Sequence, residues 1–188
     1  AWAALPIKGL VLDVGTGSGL ISLMVAQRAN GNIHIIGIDN DKNAIECARA
    51  NVAASRWHKS VAVVHSGFED YILPYPAELI ISNPPFFTTG MISPDSARAT
   101  ARHCNGALSP VSLISYASKH LAPGGSLAMV TPAEIEQTIV FETTIQQMQI
   151  VRQCDVITVP GKKPRRILWQ IQRSEDSTTA LEHTTLTI

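Results

Sequence analysis

Apolar runs of strand length alternate along this chain with segments of helical spacing, and that alternation narrows the possible folds more than any other feature. Gly9–Val14, His34–Asp39, Val61–His65, Leu79–Ser82 and Ser126–Val130 read as strands. Leu20–Arg28, ending near the turn Asn30-Gly31-Asn32, reads as a helix. So do the segment from Asp41 through Val52, the run Val111–His120 and the run Glu134–Gln149. Asp41 can cap the second helix, and Ala122-Pro123-Gly124-Gly125 stops the third. Strands joined through helices form right-handed crossovers and a parallel sheet. Two later runs, Cys154–Val159 and Ile167–Gln172, have no helix between them and form a hairpin, so one strand runs antiparallel near a sheet edge. The expected fold is α/β and Rossmann-like: a mainly parallel seven-stranded sheet with a C-terminal antiparallel hairpin and helices on both faces. After Arg173 the chain reads as a loop and a short last segment, Thr184–Ile188. No repeat or second boundary appears, and 188 residues suit one domain, 1–188.

Composition sets limits on partners. Lysine plus arginine equals aspartate plus glutamate at 15 each, so no global basic field marks a nucleic-acid binder, and any such contact must be local. The cysteines, Cys47, Cys104 and Cys154, lie far apart with no C-x-x-C, which argues against a disulfide framework or a metal site and suits a reducing cytoplasm. No stretch approaches membrane-spanning length.

The sharpest motif is Asn83-Pro84-Pro85-Phe86, directly after the fourth strand. Neither proline can donate to a ladder and each fixes φ, so the strand stops there and leaves Asn83 and Phe86 at its C-terminal end. In open α/β sheets that edge binds ligands. An amide and an aromatic ring on a rigid turn suit a flat heterocycle bearing an amino group. An ordinary strand end with a Pro-Pro loop fits the tetrapeptide equally well.

Asp13-Val14-Gly15-Thr16-Gly17-Ser18-Gly19 lies between the first strand and the first helix, where glycines permit a tight turn and close backbone approach to a ligand. It is not a dinucleotide fingerprint, because Leu20 stands where the third glycine counted from Gly15 should fall, and no Gly-Lys-Ser/Thr follows for a P-loop. Asp39 ends the second strand, where a carboxylate can accept ribose hydroxyls, with Asn40 beside it; a helix-capping role is the alternative for Asp39.

The glycine run resembles the first motif of S-adenosylmethionine-dependent methyltransferases of class I, and Asn83-Pro84-Pro85-Phe86 resembles the catalytic motif of those that modify exocyclic or amide nitrogens. With Ala101-Arg102-His103 and the hairpin Val159–Arg166, the resemblance extends over most of the chain to the bacterial tRNA1(Val) (adenine-N6)-methyltransferase family. It implies S-adenosylmethionine as cofactor, held by Asp13, Gly15, Thr16, Gly17, Ser18, Gly19, Asp39, Asn40, Gly67, Phe68 and Asn83. Phe68 would flank the adenine or serve as plain core, and Asp13 would hold loop N–H groups or the methionine amine through water. Asn83 and Pro84 would each accept one N–H of the target amine, Pro85 would stiffen the turn, and Phe86 would stack on the base.

The implied substrate is an anticodon-loop adenine of tRNA. Phe87, Arg98, Arg102, His103, Lys162, Lys163, Arg165 and Arg166 are the candidate RNA contacts, although a solvated hairpin loop also explains the last four. A monomer with no metal and no membrane contact is expected. An N-terminal segment ahead of the first strand is expected to be missing. Methylation of a release-factor glutamine, a DNA adenine or a ribosomal guanine are alternatives, as is a cofactor- and RNA-binding module inactive through truncation.

Overall fold

In the computed structural model, residues 2–29, 31–85, 108–176 and 180–188 are described. The first strand, β1 (Gly9–Val14), shows how the sheet sorts its side chains. Successive residues point to opposite faces, so Leu10, Leu12 and Val14 enter one core cluster and Val11 another. The remaining strands are β2 (Ile33–Asp39), β3 (Val61–His65), β4 (Ala77–Ser82), β5 (Leu121–Pro132), β6 (Met148–Ile157), β7 (Arg166–Arg173) and β8 (Glu182–Thr187). They form one sheet in the order β3-β2-β1-β4-β5-β7-β6-β8. All pairings among β1 to β5 are parallel, and β7 runs antiparallel between β5 and β6, as the helix-free connection requires.

Helices cover both faces. Helices α1 (Leu20–Arg28) and α2 (Lys42–Ala54) bring Val25, Ala26 and Val52 to the cluster containing Val11 and Ile35. Helices α3 (Pro110–His120) and α4 (Glu136–Ile145) bring Leu113, Ile114, Ala117 and Ile139 to the cluster containing Leu12, Leu127 and Trp169. Leu10, Leu12, Leu79 and Ile80 are fully buried, each contributing about 1.5–3 kcal/mol relative to an exposed side chain. Trp169 is also fully buried, with its Nε1 donating to Thr131 Oγ1 at 2.8 Å, so no polar atom of the indole is stranded.

Three features differ from the sequence reading. Helix α4 stops at Ile145 and β6 begins at Met148, where helical spacing predicts a helix through Gln149; Gln147, at φ 53, makes the turn without a glycine to announce it. The ladder of β5 also begins earlier than Ser126, at Leu121, with an irregularity in its pairing to β4 before Leu79↔Ser126. Finally, the sheet has eight strands among the described residues, because β8 pairs parallel to β6 along the edge. Every residue of β8 is exposed, so it lacks the apolar signal of a strand. It is held by backbone pairing, by Arg152–Glu182 at 2.9 Å and by His183–Asp155 at 3.1 Å.

Candidate active site

The ends of β1, β2 and β4 share one row, beside β5. The register sets Ile38 beside Val14, Val14 beside Ser82, and Ser82 beside Met129. Gly15, Asp39 and Asn83 therefore leave the sheet together at its C-terminal edge. The chain passes from β1 to β2 on one side and returns to β4 on the other, which makes this the topological switch point where doubly wound sheets bind ligands. The buried Ser82 hydroxyl ties the two central strands by donating to the Val14 carbonyl at 2.7 Å.

A cavity of about 380 Å³ opens at this edge. Of the residues expected at a cofactor site, Gly15, Asp39, Asn40, Gly67, Phe68 and Asn83 line it, joined by Pro85 from the catalytic motif. Asn83 and Pro85 are exposed at its rim, whereas Pro84 is buried. Val14, Ile38, Ser66 and Leu108, none of them among the candidate cofactor residues, complete the wall. Leu108 is placed by the start of α3. Ser109 caps that helix through a reciprocal pair with Ser112, at 3.1 and 3.0 Å, and Pro110 occupies its first turn. Phe68 is both a cavity wall and part of the core. It lines the cavity, yet is only 4% exposed and meets Tyr116 edge-on at 5.4 Å. Burial pushes the Tyr116 phenol up to about 12, with Tyr71 adding to the rise, so this supporting ring stays uncharged.

The glycine run is held from several directions. Its first residue, Gly15, needs to be glycine: φ is 69, and an added Cβ would stand 2.7 Å from Leu108 Cδ2. Asp39 Oδ2 accepts from the Gly17 amide at 2.9 Å, and Oδ1 accepts from the Asp41 amide at 2.9 Å. The N-cap of α2 is Asp41, which accepts from the Asn43 and Ala44 amides. Asp13 takes none of the amides of Gly15, Thr16, Gly17 or Gly19. The amides of Gly15 and Thr16 go to the Ile38 carbonyl, Gly17 goes to Asp39, and Gly19 goes to the Thr16 carbonyl. Asp13 Oδ2 instead accepts from the Thr16 hydroxyl at 2.6 Å, the Ser22 hydroxyl at 2.7 Å and the Ser22 amide at 3.0 Å. One of these donors, the Ser22 amide, lies in the first turn of α1, where amides have no intrahelical partner.

Asp13 is fully buried, and its Oδ1 has no hydrogen-bond partner. Burial pushes its pKa up; the bonds from Thr16 and Ser22 oppose this, the Asp39 charge reinforces it, and the net direction is upward. Gly37 completes the packing in a way the sequence did not announce. A Cβ there would press on the Thr16 and Ser22 hydroxyl oxygens at 2.7 and 2.9 Å.

These residues fit an adenosyl group. Val14, Ile38, Phe68 and Leu108 give apolar walls for a heterocycle, and Asp39 gives a carboxylate for sugar hydroxyls. An added Cβ at Gly17 would meet nothing within 4 Å, so the backbone is open to a ligand there. The partnerless oxygen of Asp13 is buried beneath the loop and does not line the cavity.

The basic hairpin reaches the same edge. In the β5–β7 ladder Met129 pairs with Trp169 and Pro132 with Arg166, so the connection runs beyond the C-terminal end of β5. Its turn is closed by the Lys162 amide on the Val159 carbonyl at 3.1 Å, and Lys162, Lys163, Arg165 and Arg166 are all exposed. Phe86, Phe87, Arg98, Arg102 and His103 lie outside the described residues. Among the described residues, no group of three or more His, Cys, Asp or Glu side chains could hold a metal, and no helix is long and apolar enough to cross a membrane.

The family model for the methyltransferase small domain matches residues 3–159. A tRNA1(Val) (adenine(37)-N6)-methyltransferase of Aeromonas hydrophila is 40% identical over 173 residues, covering 92% of this chain and 72% of that protein. The Bacteroides thetaiotaomicron protein of the same name is 34% identical over 168 residues, covering 89% of this chain and 70% of that protein. Among solved structures, the glycopeptide N-methyltransferase MtfA complexed with S-adenosyl-L-methionine matches with a TM-score of 0.65 at 10% identity, over 89% of this chain and 88% of that one. That likeness bears on the fold alone.

Proposed function

The chain belongs to the methyltransferase small-domain family, alongside the bacterial tRNA1(Val) (adenine(37)-N6)-methyltransferases, and we propose that it methylates the N6 amine of adenine 37 in a tRNA anticodon loop. The observation that carries this reading is the meeting of Asn83 and Pro85 with Gly15, Asp39 and Phe68 around one cavity. The nitrogen-holding turn and the cofactor loop thus share a site.

When bound, S-adenosylmethionine supplies an electrophilic methyl group on a positively charged sulfur. The protein's task is to present the amine. An adenine N6 lone pair is delocalised into the ring and is a poor nucleophile. The Asn83 side-chain oxygen and the Pro84 carbonyl each accept one N–H, which fixes the nitrogen and favours the tetrahedral geometry of attack. The buried Pro84 holds that corner rigid while Asn83 stays at the rim. Once methylated, the nitrogen is cationic and its proton is acidic, so no strong base is needed. Asp39 takes the ribose hydroxyls, and Phe68 flanks the cofactor adenine. Phe86 and Phe87 wall the target base, while Arg98, Arg102 and His103, with the hairpin cations, hold the surrounding RNA. A single-stranded loop base can be splayed out at low cost, and its phosphates call for cations such as Lys162 and Lys163. In this reading residues 1–188 act as one catalytic domain, monomeric and cytoplasmic.

The deciding assay follows labelled methyl from S-adenosylmethionine into unmodified tRNA, bulk ribosomal RNA and a peptide-chain release factor. Label in tRNA as N6-methyladenosine is the expected result. Label confined to a glutamine side chain or to another nucleic acid would replace this reading with one of its alternatives.

A further inference from the structure

We infer that Asn51, on α2, is a positioning residue for the cofactor-binding loop, an assignment that rests on reading that loop as the S-adenosylmethionine site. Asn51 belongs to none of the motifs and does not line the cavity. Its Nδ2 donates to the carbonyl of Ser18 at 2.9 Å, across 33 residues of sequence. The Ser18 carbonyl and the Gly19 amide belong to one planar peptide and point in opposite directions. That amide donates to the Thr16 carbonyl at 2.9 Å, closing the turn Thr16–Gly19. The peptide plane is therefore fixed at both ends, by its own turn on one side and by α2 on the other.

This anchor matters because Ser18 is flanked by Gly17 and Gly19, at φ 55 and φ 80, which have no side chain to restrict them. Helix α2 comes close enough to supply it because Gly19 is bare. A Cβ there would stand 3.3 Å from Ala48 Cβ, three residues before Asn51 on the same helix. Asp39 holds Gly17 from β2, Asp13 holds Thr16 from β1, and Asn51 holds Ser18 from α2. Consecutive residues of the loop are thus fixed by three elements of the protein itself. A loop ordered in advance loses less entropy on binding, so the contact acts on cofactor affinity and not on the chemical step.

The test is calorimetric titration of S-adenosylmethionine and S-adenosylhomocysteine into the wild type, Asn51→Asp and Asn51→Ser, with melting temperatures with and without cofactor. Asp keeps the shape but cannot donate; Ser is uncharged and too short to reach the carbonyl. Both variants are expected to bind both ligands about five- to tenfold more weakly, the loss of one hydrogen bond. KM for the cofactor rises in step while kcat at saturation holds, and the melting-temperature gain on adding cofactor shrinks. Wild-type affinity in both variants overturns the assignment, even if their melting temperatures fall, because the residue is then only structural. Weakening confined to Asn51→Asp overturns it too, since the new charge would be the cause. A wild type that binds neither ligand overturns the cofactor reading, and this role with it.

Discussion

The carboxylate of Asp39 accepts a hydrogen bond from the Gly17 amide at 2.9 Å, linking the end of β2 to the middle of the glycine loop. Its other oxygen accepts from the Asp41 amide, at the entry to α2. One side chain therefore sets the loop, the start of the next helix and a polar wall of the cavity. Asp39→Ala removes all three contributions. Bonds to charged groups contribute about 1.5–3 kcal/mol, so S-adenosylmethionine affinity should fall about ten- to a hundredfold. Asp39→Asn should recover only part of this, because its NH₂ group must face one of the two amides. Calorimetric affinities for the two variants check both statements.

Asp13 gives a prediction about pH. Its pKa in the folded protein is raised, chiefly by burial, above the ordinary value of 3.8. A raised carboxyl pKa means the folded state binds the proton more tightly than the unfolded one. Stability from this group is therefore greatest at acid pH and is lost as pH rises from 3.8 through the folded-state value. Asp13→Asn removes that dependence while keeping an oxygen for Thr16 and Ser22. The difference in urea midpoint between variant and wild type should shift in the variant's favour as pH is raised from about 4 to 7. A constant difference over that range would show that Asp13 does not titrate as its burial requires.

Much of this site is legible in the sequence because glycine and proline announce backbone geometry directly. Gly15, Gly17 and Gly19 take left-handed φ, and Asn83-Pro84-Pro85 ends a buried strand, as their residue types demand. What the sequence hides depends on contacts through space. Gln147 turns the chain although nothing in its type requires it, so helical periodicity runs on into β6. Ser22 and Gly37 join Asp13 and Thr16 only when α1 folds back over β2. Asn51 lies in an unremarkable helical run until α2 meets the loop. The alternating pattern predicts the parallel sheet, but β8 carries no such pattern and exists because β6 offers it an edge.

For Asn83 the expected signature is a loss of turnover that outweighs any loss of cofactor affinity. Asn83→Ala keeps the Pro84 carbonyl but removes the other acceptor for the amine. Loss of one preorganised polar group at a reacting centre lowers kcat by about a hundred- to a thousandfold. Because Asn83 lies at the cavity rim, cofactor affinity should change far less. Single-turnover methyl transfer at saturating tRNA and cofactor is the measurement, and near-normal turnover would remove Asn83 from the mechanism.

The hairpin offers a test of the RNA side that leaves the chemistry aside. Lys162, Lys163, Arg165 and Arg166 are exposed on a chain whose acidic and basic residues balance, so their positive field is local. If they contact phosphates near the target base, binding releases counterions, and log affinity falls with log salt by about 0.7 for each single-strand phosphate neutralised. Replacing the four with glutamine should weaken tRNA binding at low salt and flatten that slope by about 0.7 for each phosphate that no longer meets a cation. S-adenosylmethionine affinity should stay at the wild-type value, since none of the four lines the cofactor cavity. Fluorescence-anisotropy titrations of tRNA over a range of salt concentrations provide the slope. An unchanged slope would mean that the hairpin is a solvated loop and that the tRNA approaches over another part of the sheet edge.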